Sequence, residues 1–293
     1  MQRLAIRTRN TKLAVQRSTA RCLGTLPPLV LCLTMLAPLN AKEQDIHPVY
    51  VGTKTCVSCH QGETMGQQFT KWFQSAHAKA FASLAKPEAH KIAELSGIPL
   101  DPQKSAICLG CHTTGAQAED WEKDPTFHLQ DGIQCEKCHG PGSEYANVKT
   151  MTNREAAMKA GLVIPTEQDC MGCHLEKGSH VAVLNSPPFD VQQALKAIAH
   201  PSPDNWSLRR LKFPEPTTQV NNAAQHVGAH ACAECHDSAK MGHQYSNWIE
   251  SKHAAAFAVL GTDAAKKIAA EKGISGSPQT DPNCLKCHGA TYH

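Results

Sequence analysis

Apolar residues recur at helical spacing in two stretches, residues 65–84 and 241–260. In the first the stripe is Phe69, Trp72, Phe73, Ala76, Ala80 and Leu84. PEAHKIAELSG and TDAAKKIAAEKG read as further helices, closed by Gly97 and Gly273 at C′ positions. NREAAMKAG begins on Asn153 as an N-cap and stops at Gly161, and PFDVQQALKAIAHP starts near Asp190 and is closed by Pro201. No alternating stretch predicts a strand. The expected fold class is mainly α with long irregular loops. Aromatic residues make up 5% of the chain and mean hydropathy is -0.37. That is thin for a core made of hydrocarbon side chains alone.

The two helical stretches belong to an internal repeat. Residues 51–112 align without a gap to 227–288, at an offset of 176, and 28 of 62 positions are identical. WFQSAHAKAF (72–81) returns as WIESKHAAAF (248–257), with His253 where His77 stood. The proline-rich polar stretch 201–225 marks the expected boundary, giving units at 42–226 and 227–293.

Cysteine usage says what else could fill the core. Of 14 cysteines, 12 sit in six copies of C-x-x-C-H: Cys56, Cys59 and His60; Cys108, Cys111 and His112; Cys135, Cys138 and His139; Cys170, Cys173 and His174; Cys232, Cys235 and His236; Cys284, Cys287 and His288. This is the attachment signature of c-type haem. Two thiols bond to the porphyrin and the adjoining histidine becomes the proximal iron ligand. Tetrahedral zinc asks for four ligands and no histidine at a fixed offset, and a disulfide framework would not place the cysteines so. The expected cofactor is six covalently bound c-type haems, with the porphyrins forming much of the core.

Eleven histidines remain for the distal positions. His77 and His253 are the leading distal candidates, each expected in mid-helix among alanines that let a porphyrin approach. His200, at the end of a helix after the fourth motif, is the next. His128, His180, His230, His226 and His47 lie near motifs, whereas His90, His243 and His293 have no repeat equivalent. Met65 and Met241 follow a proximal histidine by five residues, a tether that reads them as packing residues.

Residues 1–41 hold six Lys/Arg, no acid and the apolar run LVLCLTMLAPL, the pattern of a secretory signal. The run is too short for a membrane span. Removing residues 1–41 takes the formal charge from +3 to -3, which argues against nucleic acid as a partner. Basic patches on redox partner proteins are the expected complement. Export places the chain in the periplasm or at the outer surface.

Residues 50–200 resemble the tetrahaem cytochrome c that accepts electrons from hydroxylamine oxidoreductase, and its multihaem relatives. The resemblance is carried by YVG before CVSCH, the Trp-x-x-Ser-x-His-Ala segment at 72–78, CLGCH, GIQCEKCHGPGSEY, CMGCH and the helix ending in KAIAH. It implies closely stacked haem pairs, with His77 capping the third haem (on His139) and His200 the fourth (on His174). It implies too that the second haem, on His112, can lack a distal ligand and stay open to small nitrogen oxides. Tyr145 stands where relatives place a histidine that caps the first haem. The expected function is electron transfer between redox partners through stacked haems, a carrier rather than an enzyme. The alternatives are a haem enzyme acting on nitric oxide, nitrite or hydroxylamine at an open site, and a self-associating subunit of a haem filament.

Overall fold

The computed structural model describes residues 47–200 and 226–290, all within one compact unit, Ile46–His293. The leader with Cys22 and Cys32, the boundary at 201–225 and His293 lie outside the described residues. The first repeat opens with α1 (Thr53–His60), α2 (Gln68–Gln74), α3 (Ala80–Ser83), α4 (Pro87–Leu95) and α5 (Ala106–His112). It continues through α6 (Cys135–His139), α7 (Val148–Met151), α8 (Arg154–Lys159), α9 (Glu167–Met171), α10 (Gly178–Leu184) and α11 (Val191–Ile198). The second repeat holds α12 (Ala229–His236), α13 (Gln244–Ile249), α14 (Ala256–Val259), α15 (Asp263–Glu271) and α16 (Pro282–His288). Among the described residues there is no strand; an isolated bridge joins Tyr50 to Lys123.

Local chemistry sets the helix ends. The Asn153 side chain accepts from the Ala156 amide at 3.0 Å, and Asp190 accepts from Gln192 and Gln193, each at 3.0 Å. Gly97 and Gly273 both adopt positive φ, 66° and 72°, and the isoleucine after each donates back to Ala93 or Ala269 at 2.9 Å.

The candidate ligand helix is broken where a continuous one was expected. α2 stops at Gln74, Ser75 turns to an extended ψ of 164°, and His77–Lys79 forms a single 3-10 turn before α3. The Ser75 hydroxyl donates to the Trp72 carbonyl at 2.6 Å and accepts from the His77 amide at 3.2 Å. A serine that satisfies backbone groups locally competes with the helical ladder. In the second repeat Ser251 and His253 likewise lie between α13 and α14. Met65 is buried as a packing residue should be, whereas Met241 is exposed.

The repeats pack on each other by equivalent surfaces. α2 meets α14 while α3 meets α13, and these pairings exchange under the 176-residue offset. Gln103 donates to Ser246 at 2.9 Å, and its counterpart Gln279 points its amide at Thr70, the counterpart of Ser246, at 3.5 Å. All four side chains are buried. Ala82, Ala233, Tyr245 and Ile249 form the apolar centre of this contact, with Phe73, Ala229 and Ala254 against it. Ion pairs at its rim join Lys86 to Glu250 at 2.8 Å and Lys266 to Glu63 at 3.0 Å. Self-complementary pairing of this kind is the geometry of a two-fold dimer.

Candidate haem centres

Five of the six motifs lie on a helix that ends at the motif's histidine: α1, α5, α6, α12 and α16. The fourth begins in the last turn of α9 and reaches His174 beyond it. At spacings of three and four residues on a helix, the second thiol and the imidazole fall on the face of the first thiol. That is the arrangement a porphyrin edge and its iron require together. No disulfide pairs any of the twelve described cysteines.

Four of the proximal histidines are held in one tautomer. His112 Nδ1 lies 2.9 Å from the Ala80 carbonyl, and His288 Nδ1 lies 2.7 Å from the carbonyl of Ala256, the same position in the second repeat. His139 Nδ1 contacts the Val163 carbonyl at 2.9 Å, and His236 Nδ1 contacts the Gln244 side-chain oxygen at 2.7 Å. A carbonyl oxygen only accepts, so the proton sits on Nδ1 and Nε2 keeps its lone pair for a metal. Burial holds His60, His77, His112, His174 and His200 below the ordinary imidazole value. They are therefore neutral at pH 7, the ligating form.

Two pairs of histidines face each other. The ring centroids of His77 and His174 are 6.0 Å apart, and those of His139 and His200 are also 6.0 Å apart. Imidazoles on opposite sides of one iron, each bonded through nitrogen at about 2 Å, have centroids roughly 6 Å apart. Both gaps fit an iron. Among the described residues no three or more His, Cys, Asp or Glu gather around one point. Each gap thus offers two axial ligands and leaves four equatorial positions for a porphyrin. The residues fit the group. The resemblance implied the opposite pairing; the structure sets His77 against the fourth motif and His200 against the third, because the Ser75 turn directs His77 there.

Motifs also adjoin in pairs. The Cys56 thiol hydrogen-bonds to that of Cys135, a contact that together with burial pushes Cys56 up. Burial pushes up Cys173, which hydrogen-bonds to Cys111, and Cys138, which lies near Cys170. The first motif therefore sits beside the third, the third beside the fourth, and the fourth beside the second.

The junction of the first and third motifs is built from buried polar groups that the sequence did not single out. The Glu136 carboxylate accepts from the amides of Val51 and Gly52 at 2.8 Å each and Gly142 at 2.7 Å. Burial raises its pKa, opposed by these three bonds. Gln134, also buried, accepts from the Thr53 amide and hydroxyl at 3.0 Å each and donates to the His128 carbonyl at 2.8 Å. Gly132, at φ 67°, lets its loop reach the His77 turn: a Cβ there would lie 2.6 Å from the His77 carbonyl, which accepts from the Ile133 amide at 2.9 Å. Trp72 Nε1 donates to the Ile133 carbonyl at 2.6 Å. The glycine at 132, just ahead of the third motif, was the signal the sequence offered.

The other histidines divide. His128 stacks on His230 at 4.1 Å and 7°, and His230 Nε2 is 2.6 Å from Asp131, tying the repeats together. Tyr145 gives its hydroxyl proton to the carbonyl of Gly140 at 2.6 Å. His253 is exposed, and among the described residues no ring faces it. His90 is exposed, and His47 meets Trp121 edge to face at 5.9 Å.

Six attachment motifs on a helical frame with opposed histidines define a multihaem c-type cytochrome. The family model for cytochrome c554 and c-prime matches residues 55–140 and 231–293, two segments that begin at equivalent points of the two repeats. The chain belongs to that family, whose haem is covalently bound. It is similar to cytochrome c-554 of Nitrosomonas europaea, 32% identical over 142 residues, which is 43% of this chain and 57% of the relative. The match thus spans little more than half the relative's length. No solved structure matches. Among the described residues no helix is long and apolar enough to cross a membrane.

Proposed function

We propose that the chain is an exported, six-haem electron carrier, with repeats at 42–226 and 227–293 and a leader at 1–41. The observation that carries this reading is the pair of 6.0 Å histidine gaps, which give low-spin iron two strong ligands and no free position. When bound, the haem irons supply one-electron chemistry. The chain's part is to fix their surroundings. Twelve thiols anchor the porphyrins, six histidines ligate from the motif side, and His77 and His200 ligate from the far side. Hydrogen bonds at Nδ1 keep the rings of His112, His139, His236 and His288 oriented and make Nε2 more basic, which favours the ferric state. The adjoining motif pairs keep neighbouring groups close enough for exchange. Redox partner proteins in the periplasm or at the outer surface supply and remove the electrons.

His253 favours a further element of the reading. It keeps the frame of His77 and faces outward. We assign it to an iron of a second copy of the chain, so that the carrier self-associates.

The test of the carrier reading is haem content and spin state of the purified protein. Six haems per chain and low-spin bands lost by one haem each in His77→Ala and His200→Ala are expected. Fewer than six haems, or unchanged spectra in both variants, would sink it.

A further inference from the structure

α3 and α14 are equivalent helices that orient equivalent histidines, and their sequences differ at one position. They read AFAS (Ala80–Ser83) and AFAV (Ala256–Val259), so a hydroxyl in the first repeat gives way to a hydrocarbon branch in the second. Each begins with an alanine whose carbonyl takes the Nδ1 proton of a motif histidine 32 residues on, His112 in one repeat and His288 in the other. In the second repeat the bond is 2.7 Å long, and Val259 carries no polar group to add to it. In the first, Ser83 Oγ donates to the Ala80 carbonyl at 2.7 Å, so two donors share that oxygen and the His112 bond is 2.9 Å. The Ser83 oxygen itself lies 3.2 Å from His112 Nδ1. The ring proton is thus divided between two acceptors and points squarely at neither, and a hydrogen bond weakens as it departs from linearity.

Both effects loosen the hold on the His112 proton. An imidazole whose Nδ1 proton is drawn off strongly is a more basic ligand and favours ferric iron; one held loosely favours it less. We infer that Ser83 is a positioning residue that raises the reduction potential of the haem at the second motif by sharing the Ala80 carbonyl with His112. Val259 leaves the haem at the sixth motif without this lift. The inference rests on the haem-carrier reading above. It gives two repeats of like fold an inbuilt difference in how readily their equivalent centres hold an electron, set by one side chain that acts through the ligand.

The test is a redox titration of the full haem-loaded chain, followed by absorbance. Ser83→Val should keep six haems and move one sixth of the absorbance change to lower potential. Ser83→Thr, which has nearly the shape of valine but keeps the hydroxyl, should titrate like the unmodified protein. An unmoved or raised potential in Ser83→Val, or equal shifts in the two variants, would overturn the inference alone; no haem at the second motif in the unmodified chain would sink the carrier reading and this one with it. Should Ser83→Val not accumulate, Val259→Ser decides. It should move one sixth of the change to higher potential, and an unchanged titration counts against the hydroxyl. The choice of haem is checked by replacing Cys108 and Cys111 with alanine. In that five-haem background Ser83→Val should shift nothing, and a shift there would show that Ser83 acts on another centre.

Discussion

At the scale of single residues, Glu136 does more for the arrangement than its place suggests. It fills one of the two variable positions of C-x-x-C-H, yet its two oxygens take three amide protons from the start of α1 and from Gly142. In Glu136→Gln an amide N–H faces one of these donors and leaves it unsatisfied. The expected cost is about 1–3 kcal/mol, seen as a lower melting temperature at unchanged haem content. Equal melting of the two proteins would show that the junction does not depend on the carboxylate. The thiols and proximal histidines were legible in the sequence because covalent attachment is a local rule with fixed spacing. Glu136 was not, because its partners lie up to 85 residues away and nothing in its own segment announces them. Nor does the sequence say which motif the His77 ring lies against, because the His77 turn packs on the Gly132 loop, far along the chain.

At the scale of elements, the helices with strong caps were readable and the one with a competing serine was not. Asn153, Asp190, Gly97 and Gly273 act on backbone groups within three or four residues, so their effect is written beside them. Apolar periodicity runs on through Ser75 and says nothing of the hydroxyl that ends α2. The cap of α11 has a functional readout, because α11 leads directly to His200. Losing two hydrogen bonds in Asp190→Ala should cost about 1 kcal/mol of local stability. The haem facing His139 should then show a mixture of spin states that sharpens on cooling. A single unaltered low-spin signal at all temperatures would separate α11 from the placement of His200.

At the scale of the whole molecule, the repeat was plain from the sequence but the way its copies meet was not. The identities at Pro102/Pro278 and Gln103/Gln279 marked a shared local structure. That each glutamine reaches into the opposite repeat appears only in three dimensions. The outward-facing His253 carries a prediction at this scale. The unmodified protein should elute earlier from a sizing column as concentration rises, with a gain in low-spin signal, and His253→Ala should do neither. A monomer at every concentration would remove self-association from the reading.

The contact between the repeats has a historical consequence. A surface that binds its own copy, Gln103 on Ser246 and Gln279 on Thr70, needs no tether to form. It works equally well between two separate chains. Duplicating a unit that already paired with itself, and joining the copies end to end, would leave such an interface.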